Sequence, residues 1–162
     1  MLLCGCAAIG LSAVKRLDRR VCTLRSMIGA VEFLEKELAF HMLPMRELLL
    51  VTGDSVARPA SDFLKECVKQ IDVCEARLFS EIWSLSADKT LDNLKAVDRE
   101  IINSLGTVLG RFDVEGQRNA LQLAAEQLKR NLAKAVEERG TKGAVYRTVG
   151  MATGIFMAIL LL

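Results

Sequence analysis

Apolar residues follow three regimes along the chain. Met1 to Val14 is apolar or small throughout, and Lys15, Arg16, Asp18, Arg19 and Arg20 follow at once. From Val21 to about Arg139, apolar and polar positions alternate at helical spacing. Val149 to Leu162 then reaches the C-terminus without a charge. In the middle regime, Leu24, Ile28, Val31, Leu34 or Leu38, and Met42 recur at steps of three and four, with Glu32, Glu35, Lys36 and Glu37 on the other face. That period is the signature of an amphipathic helix. No proline precedes Pro44, so the apolar start and this helix read as one continuous rod of about forty residues.

Pro44 opens a short helix through Met45, Leu48, Leu49 and Val51, ending at Thr52-Gly53-Asp54. Val56-Ala57-Arg58-Pro59 reads as linker, and Ser61 as the N-cap of a helix carrying Phe63, Leu64, Cys67, Val68 and Ile71. Another shows Ala76, Phe79, Ile82, Trp83 and Leu85, with Ser86-Ala87-Asp88 as its end. Leu94, Val97, Ile101, Ile102, Leu105, Val108 and Leu109 make a strongly amphipathic helix whose end carries Gly106 and Gly110. Two readings of that pair stay open. Glycines four apart on one face admit a close neighbour, or Gly110 is a C-cap and Gly106 incidental to the last turn. Asp113 is the expected N-cap of the next helix, with Glu115 in its first turn and an apolar stripe at Leu121, Ala124, Ala125, Leu128, Leu132, Ala135 and Val136. Gly140-Thr141-Lys142-Gly143 reads as a loosening of the chain.

Composition agrees with helix. The 162 residues are 51% hydrophobic and 26% charged, with two prolines and 5% aromatics, which argues against a β-sandwich. The apolar excess sits at the two ends. Residues 143–162 are twenty in number, long enough to span a bilayer with Arg147 snorkelling and Tyr146 at interface depth. Residues 1–14 give about 21 Å of helix, short of the ~30 Å hydrocarbon core. They read as an anchor with its basic flank on the cytoplasmic side, the alternatives being a buried core helix or a lipoprotein-like Leu3-Cys4-Gly5-Cys6 box. A start codon placed too late would explain the short run. The basic residues Arg139, Lys142 and Arg147 also lie on the side of the middle region. The expected organisation is therefore an N-terminal anchor 1–14, a cytoplasmic helical domain 15–142, and a C-terminal transmembrane helix 143–162, with Gly150-x-x-x-Gly154 as a small-residue face for another membrane helix.

Candidate chemistry is sparse. A net charge of +2 from 22 basic and 20 acidic side chains gives no footprint for nucleic acid. The five cysteines (Cys4, Cys6, Cys22, Cys67 and Cys74) are odd in number and lack Cys-x-x-Cys spacing, so reduced thiols are expected. His41 is the sole histidine and has no partner at metal-ligand spacing; Trp83, the sole tryptophan, reads as a core anchor. Neither a phosphate-binding loop nor a nucleophile elbow occurs. No catalytic residue, cofactor or metal is expected, and the chain reads as a non-enzyme. The periodicity predicts an all-α bundle of about six helices, with Ile28, Val31, Leu38, Leu64, Phe79, Trp83, Ile101, Leu105, Leu121 and Leu128 in its core.

Leu105-Gly106, Leu109-Gly110, Asp113, Gln117, Leu128, the basic linker and the glycine-containing tail resemble the C-terminal half of the stage III sporulation protein AB family of endospore-forming bacteria. The apolar start, the basic cluster, the helix from Leu24 to Leu38, Pro44-Met45 and Trp83 match its first half more loosely. The N-terminal apolar run is shorter than the family's. The resemblance implies a bundle similar to the cytoplasmic domain of type II secretion F proteins, which are inner-membrane platform subunits. It also implies membership of the channel complex joining mother cell and forespore, in the mother-cell membrane around the forespore, and a requirement in spore formation. The implied partners are other stage III sporulation A-operon proteins, including a secretion-type ATPase, protein AA, with self-association open. Gly106, Gly110, Asp113 and Gln117 are then the candidate partner contacts, and Gly150 and Gly154 the candidate membrane-helix contacts. The alternative from a different class is a membrane-anchored helical adaptor or signalling protein with no export role.

Overall fold

The computed structural model describes the backbone of residues 2–41, 43–73, 77–111 and 113–160, and the side chains of these stretches between 15 and 141. Among the described residues there are six helices and no strand: α1 (Leu2–Phe40), α2 (Met45–Ser55), α3 (Ala60–Val73), α4 (Phe79–Thr90), α5 (Ala96–Val108) and α6 (Val114–Leu160). The all-α expectation holds, as does the single rod from the apolar start to Phe40. Nothing in α1 interrupts the backbone ladder until Pro44, whose ring disfavours helix in the residue before it. Pro44 then caps α2, and its carbonyl accepts from the Leu48 amide at 3.0 Å.

Charged pairs fix the direction of α1 against α6 and of α2 against α3, and short turns that of the other neighbours. Glu35 meets Arg118 at 3.1 Å, Glu32 meets Lys129 at 2.6 Å, Arg20 meets Glu138 at 3.4 Å, and Asp18 meets Arg139. Rising numbers on α1 thus meet falling numbers on α6, and the two run antiparallel along the bundle's most extensive interface. Arg46–Asp72 and Asp54–Lys65 set α2 against α3, Glu66–Lys89 sets α3 against α4, and Asp88–Arg99 helps set α4 against α5. The helices alternate up and down. The Leu2 end of α1 and the Leu160 end of α6 therefore lie at one end of the bundle. The three turns α1–α2, α3–α4 and α5–α6 lie at the other.

The core lies where these helices converge. Val21, Leu24, Met27, Val31 and Leu34 of α1 meet Leu121, Ala124, Leu128 and Ala135 of α6, with Leu48, Leu49, Phe63 and Leu64 closing one side. Of the predicted core, Leu38, Phe79 and Ile101 are only partly buried. Val136, predicted on the α6 stripe, is exposed, because α1 covers only the face centred on Leu128 and Ala135.

Three local expectations are corrected. Ser61 is not an N-cap: α3 starts at Ala60, and the Ser61 hydroxyl donates to the Gly53 carbonyl of α2 at 2.5 Å, serving a carbonyl at a helix end that lacks an intrahelical partner. Ser86-Ala87-Asp88 does not end α4, which continues to Thr90; Ser86 and Ala87 are buried, and the Thr90 hydroxyl donates back to the Ser86 carbonyl. Gly140 to Gly143 does not break α6. The Thr141 hydroxyl donates to the Glu137 carbonyl at 2.9 Å, Arg139 is tied to Asp18, and two glycines without a proline weaken a helix without stopping it.

Among the described residues no helix is long and apolar enough to cross a membrane. The side chains of both predicted anchors, 1–14 and 143–162, with Gly150 and Gly154, lie outside the described residues, as do those of Cys4 and Cys6; so do Cys74 and Ala76 altogether.

Candidate interaction site

Trp83 is the centre of the α3–α4–α5 packing. It is buried, edge-on to Phe63 at 4.7 Å between ring centroids, and tilted against Phe79 at 5.6 Å. Its indole N–H donates to the Ile102 carbonyl of α5 at 2.7 Å. An aromatic ring lies this close to a helix backbone only where a side chain is missing, and Gly106 provides the gap. A Cβ there would sit 2.7 Å from Trp83 Cδ1 and Cγ. The close approach expected from the glycine pair is thus real for Gly106, but the neighbour is Trp83 of the same chain. Gly106 is buried and closed to a partner.

The other three candidates form the α5–α6 corner. Gly110 has φ +78°, the left-handed conformation that favours glycine at a helix end. Its amide donates to Gln117 Oε1 at 3.2 Å, and Asp113 Oδ1 accepts from the Gly116 amide at 3.3 Å, capping α6 as expected. Gln117 is buried, while Gly110 and Asp113 are exposed. The corner is held by its own hydrogen bonds, so what it offers outward is its position at the turn end of the bundle.

Near the opposite end sits a polar knot that sequence reasoning missed. Asp98 is fully buried and accepts from Arg20 Nε at 2.8 Å, Arg20 Nη2 at 3.2 Å, Asn131 Nδ2 at 2.8 Å and the Lys95 amide at 3.1 Å. These four donors match the acceptor capacity of one carboxylate. Glu138 bridges the rim, taking Lys95 Nζ at 2.8 Å and Arg20 Nη1 at 3.4 Å. The knot ties α1, α5 and α6 together where the two long helices leave the bundle. Arg20 therefore does not belong to the basic flank, as its sequence position suggested; Lys15, Arg16 and Arg19 are exposed and remain there. The only hint in sequence was Lys95-x-x-Asp98, half of a capping box.

The most exposed large apolar side chains among the described residues lie at the turn end. Phe40 is 81% exposed, Val73 72% and Leu78 66%, the three highest values among such described residues, and they flank the α1–α2 and α3–α4 turns. Val114, at the start of α6, joins them. Exposed patches of this kind mark interaction surfaces. Chemistry is scarce by comparison. No three His, Cys, Asp or Glu among the described residues could hold a metal. His41 pairs with Glu37 of α1, at 3.1 Å.

Cys67 is fully buried between α3 and its neighbours, and burial pushes its thiol up to about 12. The folded state therefore holds this proton after the unfolded chain, with a thiol near 8.5, has begun to release it. Its contribution to stability is complete below about pH 8.5 and declines as pH rises toward 12. In a chain whose Cys4, Cys6 and Cys74 are replaced by serine, a thiol reagent at neutral pH is expected to label exposed Cys22 at once and Cys67 only after denaturant is added. Equal labelling of both in the native protein would contradict the packing of α3.

A family model described as stage III sporulation protein AB matches residues 1–162. The chain belongs to that family. A curated relative, stage III sporulation protein AB of Bacillus subtilis (strain 168), is 23% identical over 155 residues, covering 94% of this chain and 90% of the relative. A solved structure titled stage III sporulation protein AB superposes with a TM-score of 0.67 at 23% identity, covering 76% of this chain and 98% of that one. At that identity the likeness shows the fold, which this member of the family shares.

Proposed function

We propose that the chain is a non-enzymatic membrane platform subunit of the complex joining mother cell and forespore during endospore formation. Segments 1–14 and 143–162 anchor it in the mother-cell membrane around the forespore, and residues 15–142 hang below the bilayer as a cytoplasmic, type II secretion F-like bundle. Its partners are the secretion-type ATPase, protein AA, and the other stage III sporulation A-operon proteins. The observation that carries the reading is the antiparallel register of α1 and α6, from Asp18–Arg139 to Glu35–Arg118. It brings both apolar ends of the sequence to one end of the bundle and leaves exposed Phe40, Val73 and Leu78 at the other. An anchored platform needs this polarity: attachment at one end, a docking surface at the far end. Family membership across the whole chain supports the setting.

The test is crosslinking in sporulating cells, followed by detergent extraction of the chain and mass spectrometry of what comes with it. The ATPase and sibling subunits are expected in the extract. A variant carrying Phe40→Glu and Leu78→Glu is expected to lose the ATPase several-fold while its melting changes little, because exposed substitutions usually shift stability by less than about 0.5 kcal/mol. An extract free of these proteins, from cells that contain them, would favour the anchored adaptor with no export role.

A further inference from the structure

The outer face of α5 and α6 carries a self-complementary pattern. Val97 on α5 is 54% exposed and Leu123 on α6 is 57% exposed, with half-buried Ile101 in the groove between the helices. Glu100 stands on the α5 wall; Arg130 and Lys134 stand on the α6 wall. Among the described residues, Glu100 and Lys134 have no ion-pair partner, and Arg130 has only Glu126 of its own helix at 3.8 Å. The Asn131–Asp98 hydrogen bond fixes the register of the two helices. Counting from it, Glu100 lies opposite residue 129, so Glu100 and Arg130 differ in height by about one helical rise, about 1.5 Å.

An acidic wall and a basic wall at equal height, either side of an apolar groove, complement themselves under one particular rotation. A two-fold axis parallel to the helices lays α5 over α6 of a second copy and α6 over its α5. Glu100 then meets Arg130 of the second copy twice, once on each side of the axis, while Val97, Ile101 and Leu123 are covered. This is the reciprocal contact that an isologous interface requires. A two-fold axis along the bundle also keeps the termini of both copies at the same end, whereas an axis across it would send them to opposite ends. The occupant is argued from the charges: a foreign partner would need no match between the two walls of one groove.

We propose that this face of α5 and α6 binds the same face of a second copy of the chain, with Glu100 paired to Arg130 across the two-fold axis. The proposal is independent of the platform reading, because it is tested on the purified chain alone. Full-length chain in detergent micelles is measured by sedimentation equilibrium as wild type, as Glu100→Arg, as Arg130→Glu, and as the double variant. Circular dichroism confirms that each remains helical. Each single reversal acts on two symmetry-related pairs and is expected to weaken the dimer about tenfold, and the double reversal, which restores opposite charges, to recover most of that loss. A monomeric wild type would overturn the proposal. So would single reversals without effect, the result if self-association ran only through the terminal segments. Single reversals that weaken the dimer without recovery in the double variant would overturn the two-fold pairing itself.

Discussion

Asp98→Ala is expected to destabilise the protein by about 3–5 kcal/mol, the range for breaking one side of a buried ion pair. The size follows from what the substitution strands. Arg20 is as buried as the core around it, and the carboxylate receives both its Nε and its Nη2. With alanine there, the guanidinium keeps only Glu138 at 3.4 Å, at the rim, and the Asn131 amide and Lys95 N–H lose their acceptor as well. Folding stability of small domains is roughly 5–15 kcal/mol, so this one change removes a large share of it. Urea unfolding followed by circular dichroism checks the value through the midpoint at unchanged slope. Replacing both partners, Arg20→Met with Asp98→Leu, is expected to recover much of the loss, since apolar packing often matches a buried pair. If Asp98→Ala melted like the parent, the knot would not be holding α5 against the long helices.

The second large effect is expected at Gly106. Alanine at a glycine inside a helix ordinarily gains about 1 kcal/mol of propensity. Here the new methyl would overlap Trp83 Cδ1 and Cγ at 2.7 Å and Cβ at 2.8 Å. Trp83 cannot retreat, because Phe63 and Phe79 pack against it and its N–H is committed to the Ile102 carbonyl. Overpacking costs about 1–3 kcal/mol, so the overlap outweighs the propensity and Gly106→Ala is expected to be destabilising. Gly106→Leu should exceed that range, with the α4–α5 contact forced open. Trp83 is the only tryptophan, so its fluorescence reports on this contact directly. Emission is expected to shift to the red in the leucine variant, in step with a lower unfolding midpoint. An unshifted spectrum with unchanged stability would mean that α5 tolerates a side chain facing Trp83.

The two substitutions also separate what could be read early from what could not. Gly106 was visible in the sequence as half of a pair spaced by four, with both readings open, close packing against a neighbour or an incidental residue of the last turn. The structure selects close packing, and supplies Trp83 of α4 as the neighbour. Gly110 and Asp113 met their local expectations, because a left-handed helix end and an N-cap are decided by adjacent backbone. Asp98 gave almost no signal. Its partner Arg20 lies 78 residues away in a run of basic residues that reads as a membrane flank, and no local rule singles out one arginine of that run for burial. Ser61 failed for a related reason: its hydroxyl had a choice between its own helix and the end of α2, and the neighbouring helix won.

The sequence by itself determined the all-α class, the starts of most helices, the apolar stripe of α1 and most of that of α6, and the two apolar termini; it misplaced the ends of α4 and α6. The features it determined depend on proline placement and on residues three and four apart, interactions that act within a few turns. Tertiary structure alone decided the antiparallel register of α1 and α6, the Arg20–Asp98 knot, the seat of Trp83 on Gly106, and which apolar side chains stay exposed. Each depends on which helix faces which, and that choice is made by simultaneous burial of surfaces far apart in the chain, where the local period carries no information.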